Sequence, residues 1–189
     1  MPPKVKVSKE MILNASFEII QKEGHEGLNA RRIAEYLKCS TQPVLYNFRT
    51  VDEIREEVYK IADEYHTGYI MPKGEREDPM LELGVNYVKF GHTESNLFRF
   101  LFQTNKFGGM GVNVLLDAPE LSEIIGIVAK SVRCGEKEAR EIFLTFFVAA
   151  HGYASLMANN AMEYNEEQIE KVLSNVFDGM LAAEKGRSI

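Results

Sequence analysis

Apolar residues in this chain recur at intervals of three and four from one end to the other, and no stretch alternates apolar with polar residues between hairpin turns. Side chains at that spacing share a face only on a helix of about 3.6 residues per turn, so the fold class is all-α. With 189 residues, 45% of them apolar, the chain can bury a substantial core.

Charge is unevenly placed. The whole chain carries −6, yet residues 1–50 sum to +3 and residues 51–189 to −9. The amino-terminal quarter therefore suits contact with a polyanion, and the acidic remainder does not. Two distant cysteines, Cys39 and Cys134, and no secretory pattern point to a reducing, cytoplasmic setting. The longest uncharged stretch, Ile142 to Met162, has 21 residues with His151 neutral and could span a bilayer by length. Thr145, His151, Ser155, Asn159 and Asn160 interrupt it and no basic cluster flanks it, so it is expected to be a helix buried between other helices, with no membrane partner.

The first helix is expected to start at the N-cap Ser8, to bury Ile12, Leu13, Ala15, Phe17, Ile19 and Ile20, and to stop at Gly24. Asn29 caps a short second helix with Ile33, Ala34 and Leu37 inward. Lys38 and Cys39 form a tight connection, and Ser40 caps the third helix, whose first turn accommodates Pro43. A charged helix follows from Val51 to Tyr65, then a loop marked by Met71-Pro72-Lys73-Gly74 and Asp78-Pro79. Helical spacing returns from Met80 to Gly91 and from Pro119 to Cys134, on either side of an aromatic-rich Ser95–Thr104 segment and a flexible Gly108-Gly109-Met110-Gly111 break. Two long helices, Glu136–Ala158 and Glu166–Ala183, close the chain.

Two short helices joined by a few residues, the second capped by serine, have the sequence form of a helix-turn-helix, here in the only net-basic quarter of the chain. If Val44 and Phe48 pack inward, a step of about 100° per residue turns Gln42 and Tyr46 outward, with Pro43 and Arg49 on the flanks. A glutamine amide can pair with adenine in the major groove, and a tyrosine can meet a thymine methyl or a phosphate.

Residues 8–54 resemble the DNA-binding domain of the tetracycline-repressor-like (TetR) family of transcriptional regulators. Ile12-Leu13-x-Ala15 with Phe17, Gly24, Gly27-Leu28-Asn29, Ile33-Ala34, Ser40 and Phe48 carry the resemblance. It implies a DNA-binding domain over residues 1–50, with Arg31, Lys38, Ser40, Thr41, Gln42, Tyr46, Asn47 and Arg49 as the DNA-binding set, and a ligand-binding and dimerisation domain over 51–189. Three positions depart from the family pattern. Leu45 stands where a phosphate-contacting tyrosine is usual, Val51 where a lysine begins the fourth helix, and Lys38 where the turn often has glycine.

Tyr87, Phe90, Phe98, Phe102 and Phe107 gather in the centre of the chain, and with Phe147 they can line an apolar pocket in which Asn86 and His151 are the polar groups. The resemblance further implies a homodimer. Phe143, Ala150, Ala154 and Met157 on the penultimate helix, with Val172, Val176, Phe177 and Met180 on the last, are its expected interface. The function this implies is a ligand-responsive repressor that binds a near-palindromic double-stranded operator and is released by a largely apolar small molecule.

Catalysis has little support. The sequence holds no Gly-rich phosphate loop, no HExxH and no Gly-x-Ser-x-Gly, and His25, His66, His92 and His151 lack the i, i+4 spacing of metal ligands, so no cofactor or metal is implied. Asp52, Glu53, Glu56 and Glu57, interleaved with Arg55 and Lys60, read as a solvated helix face. The competing reading is an all-α helical-bundle enzyme or small-molecule carrier that does not bind DNA.

Overall fold

The computed structural model describes residues 7–105 and 121–187, and the described residues are helical with no strand among them. The helices are α1 (Lys9–Glu23), α2 (Ala30–Tyr36), α3 (Thr41–Asn47), α4 (Val51–Ile70), α5 (Pro79–Thr93), α6 (Ser95–Phe102), α7 (Leu121–Val132), α8 (Glu136–Asn160) and α9 (Glu166–Arg187). Phe107, the glycine-rich break at 108–111 and the expected helix start at Pro119 lie outside the described residues.

The chain forms two compact units, residues 1–66 with 94–104, and residues 67–93 with 105–189. The first packing unit is thus larger than the domain expected to end at residue 50. Ile54, Val58 and Ala62 of α4 are buried, the Tyr59 hydroxyl donates to the Leu101 carbonyl at 3.3 Å, and Phe17 meets Tyr65 edge-on at 5.5 Å. The first 16 residues of α4, together with α6, belong to the first core.

In the first unit, the Ser8 hydroxyl accepts the Met11 N–H at 3.2 Å, and α1 buries Ile12, Ala15, Ser16, Ile19 and Ile20. Leu13 and Phe17 are only half-buried. Ser16 belongs to the core because its hydroxyl donates to the Ile12 carbonyl at 2.7 Å, which satisfies the buried oxygen. Gly24 ends α1 with φ +88°, a left-handed conformation that favours glycine. α6 is tied to α1 by Asn96 donating to the Gln21 carbonyl at 2.9 Å and Gln21 donating to Glu94 at 2.9 Å.

The second unit is built on α5 and α8. A Cβ on Gly84 would fall 2.6 Å from the Phe146 ring, and one on Gly91 would fall 2.8 Å from the Ala154 carbonyl oxygen. Two glycines seven residues apart therefore give α5 a flat face on which α8 lies close. α8 is long and apolar enough to cross a membrane by length and composition, but Ala139, Ile142, Phe143, Phe146, Ala150, Ala154, Met157 and Ala158 are buried in the chain's own core. It packs on α5 and α7 as a core helix. Ile169, Leu173 and Phe177 of α9 are buried as well, with Phe177 edge-on to Phe146 at 5.9 Å.

Glu82 is a charged side chain in this core. Burial by itself would raise its pKa, but the backbone N–H groups of Lys73, Glu75, Arg76 and Gly74 point at the carboxylate and hold it below its ordinary value. The Lys73 N–H donates to it at 2.7 Å and the Arg76 N–H at 3.3 Å. One side chain thereby satisfies the turn before α5.

Candidate functional site

α2 and α3 form the expected pair of short helices. The Asn29 side chain accepts the Arg32 N–H at 2.9 Å, and Ile33 and Ala34 are buried, with Leu37 half-buried. α2 ends with the Cys39 N–H bonded to the Ala34 carbonyl at 2.9 Å, a closure that requires Lys38 to adopt φ +53°. Lysine thus holds a left-handed conformation more usual for glycine. Ser40 occupies the cap position of α3 with extended backbone, but its side chain makes no capping bond, contrary to the expectation from sequence.

Val44 and Phe48 are buried, and Thr41, Gln42, Leu45 and Tyr46 face outward. Tyr46 is 87% exposed and Leu45 53%. Pro43 is half-buried. Asn47 is turned back into the domain, where its amide donates to the Pro43 carbonyl at 2.8 Å and the Val7 carbonyl at 3.3 Å. That use of both amide hydrogens removes Asn47 as a donor to DNA and leaves it as a clamp on the end of α3.

The basic groups divide in two. Arg31 is paired with Glu35 at 3.0 Å, and Arg32 with Glu23. Lys38 and Arg49 are exposed at the two ends of α3 and have no ion pair among the described residues. Lys9, which lies outside the expected DNA-binding set, sits with its ammonium 5.2 Å from the centre of the Phe48 ring. Its place one residue after the Ser8 cap was the available signal, since the start of α1 must lie where the cap puts it. The outward face of α3 is therefore uncharged and flanked by cations.

In the second unit, the Tyr87 hydroxyl and His151 Nδ1 are hydrogen-bonded at 2.9 Å. Phe147 lies 5.5 Å from both rings, and Phe143 stacks on Phe147 at 5.8 Å. Burial lowers the pKa of His151, which keeps the imidazole neutral at neutral pH. Asn86 is half-buried and donates to the Ile70 carbonyl at 3.4 Å. Phe90 is fully buried, edge-on to Tyr69 at 5.3 Å, which makes it core rather than lining. Phe98 and Phe102 pack within the first unit, 5.2 Å from one another, and Phe102 lies 5.1 Å from His66. Of the expected pocket, Tyr87, Phe147 and His151 form one cluster.

The expected dimer residues divide in the same way. Phe143, Ala150, Ala154, Met157 and Phe177 are buried inside the chain, so they have little surface left for a partner. Val172 is exposed, and Val176 and Met180 are half-buried. The faces of α8 that remain open instead carry Val148, 54% exposed, and Leu156, 52% exposed, with Gly152 between them. α8 thus has two apolar rows, the one that carries Phe143, Ala150, Ala154 and Met157 buried in the chain's own core and the one that carries Val148 and Leu156 exposed.

No protein-family model and no curated protein matches the sequence. Solved structures do match. A TetR-like transcriptional regulator from Rhodococcus sp. RHA1 superposes with a TM-score of 0.64 at 14% identity, over 96% of this chain and 98% of that one. The fold is that of the TetR regulators. A TetR variant from Acinetobacter baumannii AYE, solved with minocycline, gives a TM-score of 0.60 at 14% identity, over 95% and 97% of the two chains. A TetR-family regulator from Vibrio parahaemolyticus gives 0.60 at 16% identity, over 90% and 96%. Because the match runs over nearly the whole of each chain, the TetR fold extends from the helix-turn-helix through the carboxy-terminal helices, where sequence resemblance is only general.

Proposed function

We propose that this chain is a one-component transcriptional regulator of the TetR type, a cytoplasmic repressor that binds a near-palindromic operator as a homodimer and releases it when a small molecule occupies the second unit. The observation that carries the reading is the outward face of α3, where Gln42 and Tyr46 stand clear of the core between Lys38 and Arg49. Lys38, Arg49 and Lys9 meet phosphates, and Gln42 reads an edge in the major groove. Arg31, Ser40 and Thr41 complete the DNA-binding set.

The second unit supports the rest. An aromatic bed with one neutral hydrogen-bonded pair, Tyr87 and His151, is suited to a largely apolar, uncharged effector. The partner subunit docks on Val148, Gly152 and Leu156 of α8 and on Val172, Val176 and Met180 of α9. The effector releases DNA because it binds tighter to a dimer whose paired α3 helices are wrongly spaced for successive major grooves. Selection of sites from a random duplex library by the full chain tests the reading. Enrichment of a sequence with two-fold symmetry supports it, and a library that emerges unenriched refutes it.

A further inference from the structure

The residues of α3, Thr41 to Asn47, include no charged side chain. Guanine in the major groove shows two acceptors, and its usual reader is the forked donor of arginine or the ammonium of lysine. Neither stands on this helix. What α3 offers is the Gln42 amide, the Thr41 and Tyr46 hydroxyls, and Leu45. A leucine 53% exposed on a helix whose other branched aliphatic residue, Val44, is fully buried is not completing the core.

Gln42 and Leu45 are three residues apart, so they lie on adjoining turns about 4.5 Å apart along the helix axis. Side chains that near one another can reach the same or neighbouring base pairs, which stack about 3.4 Å apart. Gln42 has no hydrogen bond among the described residues, which leaves both its amide hydrogens and its oxygen for a base. The apolar surface that duplex DNA presents in the major groove is the C5 methyl of thymine. Lys38 and Arg49, placed at the two ends of α3, fix the helix on the phosphates without reading sequence.

We infer that Leu45 reads a thymine methyl next to an adenine read by Gln42, so that the centre of each operator half-site is A·T and carries no guanine read by α3. The inference rests on the DNA-binding reading above and specifies its ligand. It also assigns a role to a position at which the sequence departs from the TetR pattern.

The test uses the full chain and the site it selects from a random duplex library. Each thymine of the half-site is replaced in turn by deoxyuridine, which lacks only the methyl. One replacement is expected to weaken binding about fourfold, the factor for removing one buried methyl-sized group. The same replacement should leave the affinity of Leu45→Ala unchanged. Leu45→Arg should move the preference at that position toward guanine. Because Leu45 is exposed, these variants should melt with the parent, and a melting curve checks that they do. A half-site whose strongest positions are G·C, or a deoxyuridine penalty that survives in Leu45→Ala, overturns the inference while leaving the regulator reading intact. An unenriched library overturns both.

Discussion

Gly91 of α5 and Ala154 of α8 approach so closely that a Cβ on Gly91 would sit 2.9 Å from the Ala154 Cβ and 2.8 Å from its carbonyl oxygen. The obstacle is backbone, which cannot swing aside as a long side chain would. Gly91→Ala should destabilise the fold by about 1–3 kcal/mol through overpacking, measured by urea or thermal unfolding. Gly68→Ala, at a helical position of α4 with nothing within 4 Å of the added carbon, should instead stabilise by about 0.4–1 kcal/mol. Equal effects at the two sites would show that α5 and α8 are not packed this closely.

Lys38 should show a conflict between folding and binding. Its left-handed φ of +53° is relieved by glycine, so Lys38→Gly should raise stability by up to about 1 kcal/mol. The same change removes a proposed phosphate contact, which should weaken all duplex sequences alike and reduce the salt slope by about 1. Increased stability with unchanged DNA affinity would remove Lys38 from the interface.

The α8 and α9 faces make distinct predictions for assembly. Leu156→Glu combined with Val172→Glu should give a monomer in sedimentation with helicity unchanged, because both side chains are exposed in the single chain. Phe177→Lys should lower the melting temperature, since it places a charge against Phe146 in the core. If the double variant stays dimeric, the partner docks elsewhere.

His151 should mark its position in the pH dependence of stability. Its folded pKa lies below the ordinary 6.5, so the unfolded chain binds the proton more readily. The contribution is complete above about 6.5 and is lost as pH falls through the folded value. His151→Phe should flatten that part of the curve. Glu82, held below its ordinary 4.5, acts in the same direction further down, and Glu82→Gln should flatten only the more acidic limb. His151→Phe should also blunt operator release by the effector while sparing operator affinity without it. Loss of stability with normal release would confine the imidazole to a structural role.

The first helices were legible in the sequence because their boundaries are set by neighbours in the chain. Ser8, Gly24 and Asn29 each act on groups within four residues, and each does as expected. Ser40 holds the right backbone without its side-chain bond, which a pattern of residue types does not distinguish. The long-range pairings were not legible in the same way. Periodicity identified an apolar row on α8 but not which row faces inward, and Gly84 and Gly91, seven residues apart on the opposite helix, were the unused signal. Likewise Phe98 and Phe102 look like neighbours of Tyr87 along the chain, yet α6 is held to α1 by Gln21, Glu94 and Asn96.

On the function proposed above, a protein that is acidic overall binds duplex DNA through α3 and its flanking cations. Fluorescence anisotropy of the full chain on a labelled duplex, titrated from about 20 to 200 mM salt, tests it most directly. Binding at low salt should weaken linearly in log–log form, with a slope near −0.9 for each phosphate neutralised, and the combined Lys38→Ala, Arg49→Ala variant should lose about two phosphates' worth of that slope. No binding at the lowest salt, or binding that is indifferent to both substitutions, would contradict the claim.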